Sequence, residues 1–185
     1  MTYLDNQAAA PGGSPLVPLP ETDGFTIEHV VTAGDTSAVG PVYYARLIEW
    51  QGRCREQAGM AGAPVFSSDI SGEHAMLTRS CSCEYEKELW FGDRVAIRVT
   101  VPWVRLHLMK GEFRFHRITG PGDPGGELVA RGEQIWASAH RAGDHYEPGP
   151  WPAELVRCAA RLGADVSRAQ IAEPYRSVHR SGEAP

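Results

Sequence analysis

The alternation of apolar and polar residues predicts a chain built mainly from antiparallel strands. Residues 25–31 alternate in the way that a half-buried strand does. Runs rich in β-branched and aromatic residues predict four more strands, at 75–89, 94–104, 105–118 and 127–140. Because turn-forming clusters at 90–93 and 120–126 separate consecutive runs, we expect neighbouring strands to pair antiparallel.

One segment between the first two strands has the composition of a long α-helix. Pro41 stands at a plausible first helical position, good helix formers follow, and Gly59 and Gly62 mark the end. A shorter helix is predicted at 152–162. This order of elements favours the α+β class, with a sheet of about five antiparallel strands wrapped around one long central helix.

The two ends of the chain differ in composition from the middle. Proline and glycine crowd the beginning, so residues 1–22 are predicted to form a flexible N-terminal arm. Residues 163–185 have little periodicity and are predicted to form a C-terminal tail, although 166–172 has the composition of a short helical turn. The domain predicted between them, 23–162, has no internal repeat.

Charge and cysteine use exclude several classes of function. The 185 residues carry a net charge of -5, which disfavours a nucleic-acid partner. Apolar runs are much shorter than a membrane span and no signal-peptide pattern is present, so we expect a cytoplasmic protein without a membrane partner. The four cysteines are then reduced thiols. Scattered histidines without metal-ligand spacing favour a site without metal or cofactor.

The junction between the first strand and the long helix is the candidate functional site. A helix start leaves backbone N–H groups without intrahelical acceptors, and the helix dipole adds positive potential there. If Val42, Tyr43 and Tyr44 form the first helical turn, their N–H groups meet the oxygen of a carbonyl as it becomes tetrahedral. The alternative is an ordinary helix start packed against a strand.

Arg55 lies off the polar face of the predicted helix. At about 100° per residue, the polar stripe is centred about 130° from Arg55. This stripe consists of Arg46, Glu49, Arg53 and Glu56. A guanidinium on a partly apolar stripe needs a ligand, a carbonyl or a carboxylate. Arg55 is therefore either a functional residue or a buried arginine paired with a sheet carboxylate, for which the candidates are Glu84, Glu86 and Glu88.

The helix and the residues before it carry a motif of a known family. A G-x-V-Y-Y stretch at 40–44 runs into W-Q-G-R-C-R-E at 50–56. In this motif and in the order of elements, residues 25–160 resemble the hotdog-fold thioesterases of the hydroxybenzoyl-CoA thioesterase-like superfamily, and most of all the enediyne polyketide thioesterases. The resemblance implies a hotdog fold whose subunits pair through their sheets as homodimers or homotetramers.

The same resemblance implies a function and roles for single residues. It predicts hydrolysis of a polyketide, acyl or aryl thioester carried by an acyl carrier protein or by coenzyme A, with a carrier protein or polyketide synthase as partner. It implies that Arg55 is catalytic, beside the amides of Tyr43 and Tyr44. Gly40, Val42 and Gln51 are the motif residues expected to contact substrate.

One position departs from the family pattern. Related enzymes carry Asp, and the enediyne branch Asn, three residues before the motif glycine, where this chain has Ser37. A serine without an adjacent base is a weak nucleophile, so we expect its hydroxyl to orient water or substrate. Asp35 is a candidate substitute base at the substrate, and capping of its own turn is the alternative. The departure leaves open a non-hydrolytic protein that binds or cyclises an acyl or polyketide thioester.

Overall fold

The computed structural model describes residues 24–63, 74–118, 120 and 126–172. A 3-10 turn, Ala33–Asp35, lies between the first strand and the first helix. The predicted arm at 1–22 and residues 173–185 of the predicted tail lie outside the described residues. The elements in chain order are β1 (Phe25–Val30), α1 (Ala45–Gly62), β2 (His74–Tyr85), β3 (Arg94–Leu106), β4 (Leu108–Ile118), β5 (Glu127–Ala142), β6 (His145–Pro148), α2 (Ala153–Arg161) and β7 (Asp165–Ala169).

One curled sheet contains all seven of these strands. Its order is β1-β3-β4-β5-β2, with β6 paired to β5 and β7 paired to β3. The β3–β7 pair is parallel, and the other pairs are antiparallel. The predicted α+β arrangement, antiparallel strands wrapped around one long helix, is thereby confirmed. The sequence patterns did not predict β6 and β7.

The core lies between α1 and the inner face of the sheet. Successive side chains of a strand point to opposite faces, so every second residue of β3 and β4 packs towards α1. The largest buried residues of this core include Trp50, Ile97, Val99, Phe113 and Phe115. All four cysteines are free, and burial raises the pKa of the Cys54 thiol to about 12, so that Cys54 is an inert core residue.

The long helix begins at Ala45 rather than at Pro41. Val42 instead forms a β-bridge with Thr36, and its N–H donates to the Leu89 carbonyl at 2.8 Å. Val42 is therefore tied to Thr36 and to the residues after β2 rather than being part of the helix. This tertiary contact outweighs the helical propensity on which the prediction rested.

The beginning of the predicted tail belongs to the sheet. Residues 166–172 do not form a helical turn, because β7 pairs with β3 and Ile171 forms a bridge with Trp151. The domain predicted to end at residue 162 thus extends at least to the end of β7. The second predicted helix is confirmed as α2, with Leu155 and Cys158 on its buried side. Within the described ranges, neither helix is long and apolar enough to cross a membrane.

Candidate active site

The three amides before α1 differ in what they bind. The N–H of Val42 donates to Leu89, and the N–H of Tyr43 donates to the Asp35 carbonyl at 2.9 Å. The N–H of Tyr44 has no acceptor among residues 24–63, 74–118, 120 and 126–172. Three amides were predicted to stabilise an oxyanion. Those of Val42 and Tyr43 are already hydrogen-bonded within the protein, so only that of Tyr44 among the three is available.

Tyr44 stands at the start of α1 beside a surface pocket. The Tyr85 hydroxyl donates to the Tyr44 carbonyl at 3.0 Å. Burial raises the pKa of Tyr85 to about 12, so this hydroxyl stays a donor at neutral pH. The pocket encloses about 700 Å³, including solvent space at its mouth, and Tyr44, Leu47, Tyr85 and Lys87 line it. A carbonyl bound in this pocket lies next to the positive end of the helix.

Asp35 is buried and holds the junction together. Its Oδ2 accepts hydrogen bonds from the Thr32 N–H at 2.8 Å and the Thr32 hydroxyl at 2.7 Å, and lies 3.2 Å from His29 Nε2. Burial alone raises the pKa of Asp35, but the hydrogen bonds from Thr32 and the contact with His29 lower it below its usual 3.8. A carboxylate with a lowered pKa is a weak base. The turn-capping alternative therefore fits Asp35 better than the substitute base.

Ser37 lies in a tight turn in front of the helix. Its N–H donates to the Pro41 carbonyl at 2.8 Å, and its carbonyl accepts from the Gly40 N–H at 3.0 Å. Gly40 has a φ of 109°, and a Cβ there would come within 2.8 Å of the Trp90 ring, so this turn requires glycine. The Ser37 hydroxyl oxygen is buried without a hydrogen-bond partner in the described part of the chain. Such an oxygen is available for water or ligand.

Arg55 points into the interior beside the sheet, as the helical pattern predicts. Its side chain is only 18% exposed, and Nη1 donates to the Thr78 hydroxyl at 2.9 Å. The guanidinium lies 6.0 Å from the centre of the Trp136 ring, and its Nε is buried without an acceptor among the described residues. Burial lowers the pKa of Arg55, and Glu56 at 3.6 Å partly opposes this effect. The predicted alternative, pairing with a sheet carboxylate, is not observed.

Gln51 lies in the core of the protein. It is fully buried, and its amide nitrogen donates to the Ser82 carbonyl at 3.1 Å. Its amide oxygen accepts from the Gln134 amide at 3.2 Å, and the oxygen of Gln134 accepts from the Trp136 indole N–H at 2.6 Å. This chain of buried hydrogen bonds ties α1 to β2 and β5. The structure therefore corrects the predicted substrate-binding role of Gln51 to a core contact.

An apolar cavity opens beside Arg55, between the second half of α1, the sheet and α2. Its free volume is small, about 40 Å³, and Arg55 is the only charged residue among its described walls. The remaining walls are apolar or small and comprise Ala58, Gly59, Met76, Val99, Val101, Met109, Trp136, Leu155, Cys158, Ala159 and Leu162. The second half of α1 thus places one buried cation at the side of an apolar space.

Tyr44 and Arg55 lie far apart within one chain. Arg55 is eleven positions after Tyr44, which is about 16 Å along the helix axis. Strand β2 supports both groups, because Tyr85 binds Tyr44 and Thr78 binds Arg55. The predicted site residues therefore fall into two groups, one at each half of α1.

Sequence reasoning missed several residues that form these two groups. His29 contacts both Asp35 and the Trp50 ring, whose centre is 4.3 Å from that of the imidazole. Tyr85 and Thr78 hold Tyr44 and Arg55 from β2. None of these residues belongs to a short motif. Their positions on strands were the only available signal, and these became informative only with the strand register.

Comparisons with known proteins place the chain in a family. No family model matches the chain, and no curated protein sequence matches it. Among solved structures, the dynemicin thioesterase matches with 34% identity and a TM-score of 0.70, over 77% of this chain and 98% of its own. The 1,4-dihydroxy-2-naphthoyl-CoA thioesterase from Synechocystis matches with 17% identity and a TM-score of 0.61, over 76% and 98%. The 4-hydroxybenzoyl CoA thioesterase from Pseudomonas sp. strain CBS-3 matches with 19% identity and a TM-score of 0.62, over 74% and 99%.

A curled antiparallel sheet around a long helix is the arrangement of the hotdog fold. The identity to the dynemicin thioesterase extends over nearly all of that protein. The chain therefore belongs to the hotdog-fold thioesterases, and the resemblance to the enediyne polyketide thioesterases is confirmed. The predicted activity class, thioester hydrolysis, follows from this membership.

Proposed function

We propose that the protein releases a polyketide or other long acyl chain from an acyl carrier protein, or from coenzyme A, by hydrolysing its thioester. The apolar cavity with Arg55 as its only charged wall residue carries this proposal. The dynemicin thioesterase binds a polyene, with induced fit. The cavity in this chain is apolar but small, and it would have to enlarge around a long ligand by rearrangement of the flexible side chains of Met76 and Met109.

The proposed site forms between two copies of the chain. β2 lies at the end of the strand order and, within the described ranges, pairs only with β5. Its other edge is exposed over most of its length and is open to a second β2. A two-fold antiparallel pairing centred between Cys81 and Ser82 would bring Tyr85 of one copy opposite Thr78 of the other. Tyr44 of one copy would thus approach the partner's Arg55, which supports the expected homodimer or homotetramer.

The chemistry proposed for this site needs no covalent intermediate. Water attacks the thioester carbonyl carbon, a C–O bond forms, and the C–S bond breaks. The thiolate takes up the proton that the water loses. The Tyr44 N–H donates to the carbonyl oxygen as negative charge develops, and the partner's Arg55 adds positive charge in a poorly solvated place. The buried hydroxyl of Ser37 is positioned to hold the water or the substrate.

Arg55→Ala is the direct test of this proposal, with Arg53→Ala as the matched control. Arg53 is an exposed residue two positions away on the same helix. Thiol release is measured from a series of acyl thioesters of increasing chain length, carried by coenzyme A or by an acyl carrier protein. We expect the wild type to favour long apolar chains, Arg55→Ala to lose about 10²-fold in kcat, and Arg53→Ala to keep the wild-type rate. An unchanged kcat in Arg55→Ala would exclude Arg55 from the mechanism.

A second candidate is a protein that binds or cyclises an acyl thioester without hydrolysing it. The lowered pKa of Asp35 favours it, because this carboxylate is a weak base for activating water. Product analysis separates the two functions, since hydrolysis yields a free acid and thiol whereas cyclisation without hydrolysis yields a ring and no free acid. A carrier-protein partner, the oligomeric state and a cytoplasmic location stay predictions.

A further inference from the structure

The edge strand β2 carries one positive and one negative side chain that have no partner among the described residues. Besides its histidine, the strand contains one basic residue, Arg79, and one acidic residue, Glu84, and both are exposed. In the part of the chain that the structure describes, neither has an opposite charge at ion-pair distance. Opposite charges on an open sheet edge are available to a second chain that pairs with this edge.

The neighbouring strand β5 does not neutralise these two charges. Arg131 lies directly opposite Glu84 in the β2–β5 pairing. Its Nε lies 3.2 Å from an oxygen of Glu86, so Arg131 already has a counter-charge. Arg79 is the extra residue of a bulge, because the register of this pairing shifts between its two neighbours in sequence. A bulged residue has no cross-strand partner of its own, so β5 offers Arg79 no opposite position.

The spacing of the two charges matches the pairing proposed for the two-copy site. The two-fold axis that places Thr78 of one copy opposite Tyr85 of the other lies midway between these two positions of β2. Arg79 and Glu84 have the same midpoint, so the axis also places Arg79 of one copy beside Glu84 of the other. Opposite positions on neighbouring strands have Cβ atoms about 4.5–5.5 Å apart, which a guanidinium and a carboxylate can bridge. Because the axis repeats every contact, the interface contains this pair twice.

The side chains between the two charges do little to fix how two copies pair. Residues 80–83 are two serines and two cysteines, without a large apolar side chain. Register is weakly specified in a strand that lacks a hydrophobic pattern. A pairing centred on Arg79 would oppose two arginines, and one centred on Glu84 would oppose two glutamates, and both arrangements are repulsive. The two charges therefore select among registers that main-chain hydrogen bonds alone would accept.

We propose that Arg79 and Glu84 are positioning residues, which form two reciprocal ion pairs between copies and set the register of β2 against β2. In this register the Tyr44 amide of one copy approaches Arg55 of the other. A slip of two residues would displace these groups by about 7 Å. The inference rests on the proposed two-copy site and adds to it the residues that select its geometry.

Charge reversal tests the proposal, with the dimer dissociation constant measured by sedimentation at low salt over a range of protein concentrations. Arg79→Glu and Glu84→Arg each place like charges at both pairs, so we expect each to weaken the dimer by at least about tenfold. The double variant Arg79→Glu/Glu84→Arg restores opposite charges and should dimerise within about threefold of wild type. Arg168→Glu is the control, because this exposed arginine lies on β7, which pairs with β3, and it should match wild type.

Mixing the two single variants gives a second readout, which a general loss of folding would not produce. In the mixed dimer, each reversed charge meets an opposite charge on the other copy, so heterodimers should form in preference to either homodimer. High salt should reduce this preference because it screens exposed charges. Equal dissociation constants for wild type and both single variants, or no rescue in either the double variant or the mixture, overturns the proposal. A wild type that stays monomeric at every concentration also overturns it.

Thiol release from acyl thioesters separates this inference from the proposed function. The single variants should lose activity in proportion to their loss of dimer and regain it at higher protein concentration, whereas the double variant should keep the wild-type rate per dimer. Failure of the proposed function would appear as no thiol release by wild type, with the changes in dimerisation intact. Failure of this inference would appear as thiol release by wild type, with dimerisation unchanged by charge reversal.

Discussion

Replacing Tyr44 by proline removes an available amide at the start of α1 and little else. The φ of Tyr44 is -51°, within the range that proline adopts, and Tyr44 precedes the first residue of the helix. Its N–H has no acceptor among the described residues, so the substitution breaks no hydrogen bond there. Tyr44→Ala is the matched control, because it removes the same half-exposed ring and keeps the N–H.

The size of the expected effect follows from the loss of one hydrogen-bond donor. The amides of Val42 and Tyr43 are already bound to Leu89 and Asp35, so neither replaces the lost donor. Removal of one oxyanion donor costs about 10²- to 10³-fold in kcat, or about 3–4 kcal/mol. We expect Tyr44→Pro to show this loss relative to Tyr44→Ala, with equal Tm values, in a thiol-release assay. A kcat in Tyr44→Pro within threefold of that in Tyr44→Ala would refute the role of this amide.

Two further predictions concern stability. In the folded protein the pKa of Asp35 lies below its usual value of 3.8. Ionised Asp35 should therefore stabilise the fold at any pH above 3.8, and this stabilisation should disappear as the pH falls through the pKa of the folded protein. Urea unfolding should show that Asp35→Asn is about 1–3 kcal/mol less stable than wild type at pH 7, and this difference in unfolding free energy should vanish in strong acid. A difference that does not change with pH would contradict this. Gly132→Ala should destabilise by about 1–3 kcal/mol, because its Cβ would overlap the buried Gln51 amide. Gly52→Ala is the control, because no atom lies within 4 Å of the added Cβ, and it should stabilise the protein by about 0.5–1 kcal/mol. Equal changes in stability for Gly132→Ala and Gly52→Ala would disprove the overlap.

The sequence was most informative where a pattern depends on local periodicity. Alternation along β3 predicted its inner face, and the 100° spacing of α1 placed Arg55 off the polar stripe, where the structure finds it 18% exposed. These properties depend on the period of one element, which short segments already contain. The family motif added the fold and the activity class.

Properties that depend on contacts between distant segments were not predictable in the same way. α1 begins at Ala45 because Val42 bridges to Thr36 and binds Leu89, a contact between segments far apart in sequence. Gln51 belongs to the same motif as Arg55, yet it is held by Ser82 and Gln134 in the core. β7 was missed because its pairing with β3 is parallel and its residues are mostly exposed. In each case the outcome depends on the strand register, which no local pattern contains.

Mixing two inactive variants tests the two-copy site most directly. Tyr44→Pro supplies Arg55 but lacks the amide, and Arg55→Ala supplies the amide but lacks the guanidinium. After the two variants are unfolded together and refolded, half of the dimers should be mixed, and each mixed dimer should contain one intact site. The account predicts recovery of about a quarter of the wild-type kcat, since one site in four is then complete. Activity no greater than the mean of the two separate variants would contradict a site shared between copies.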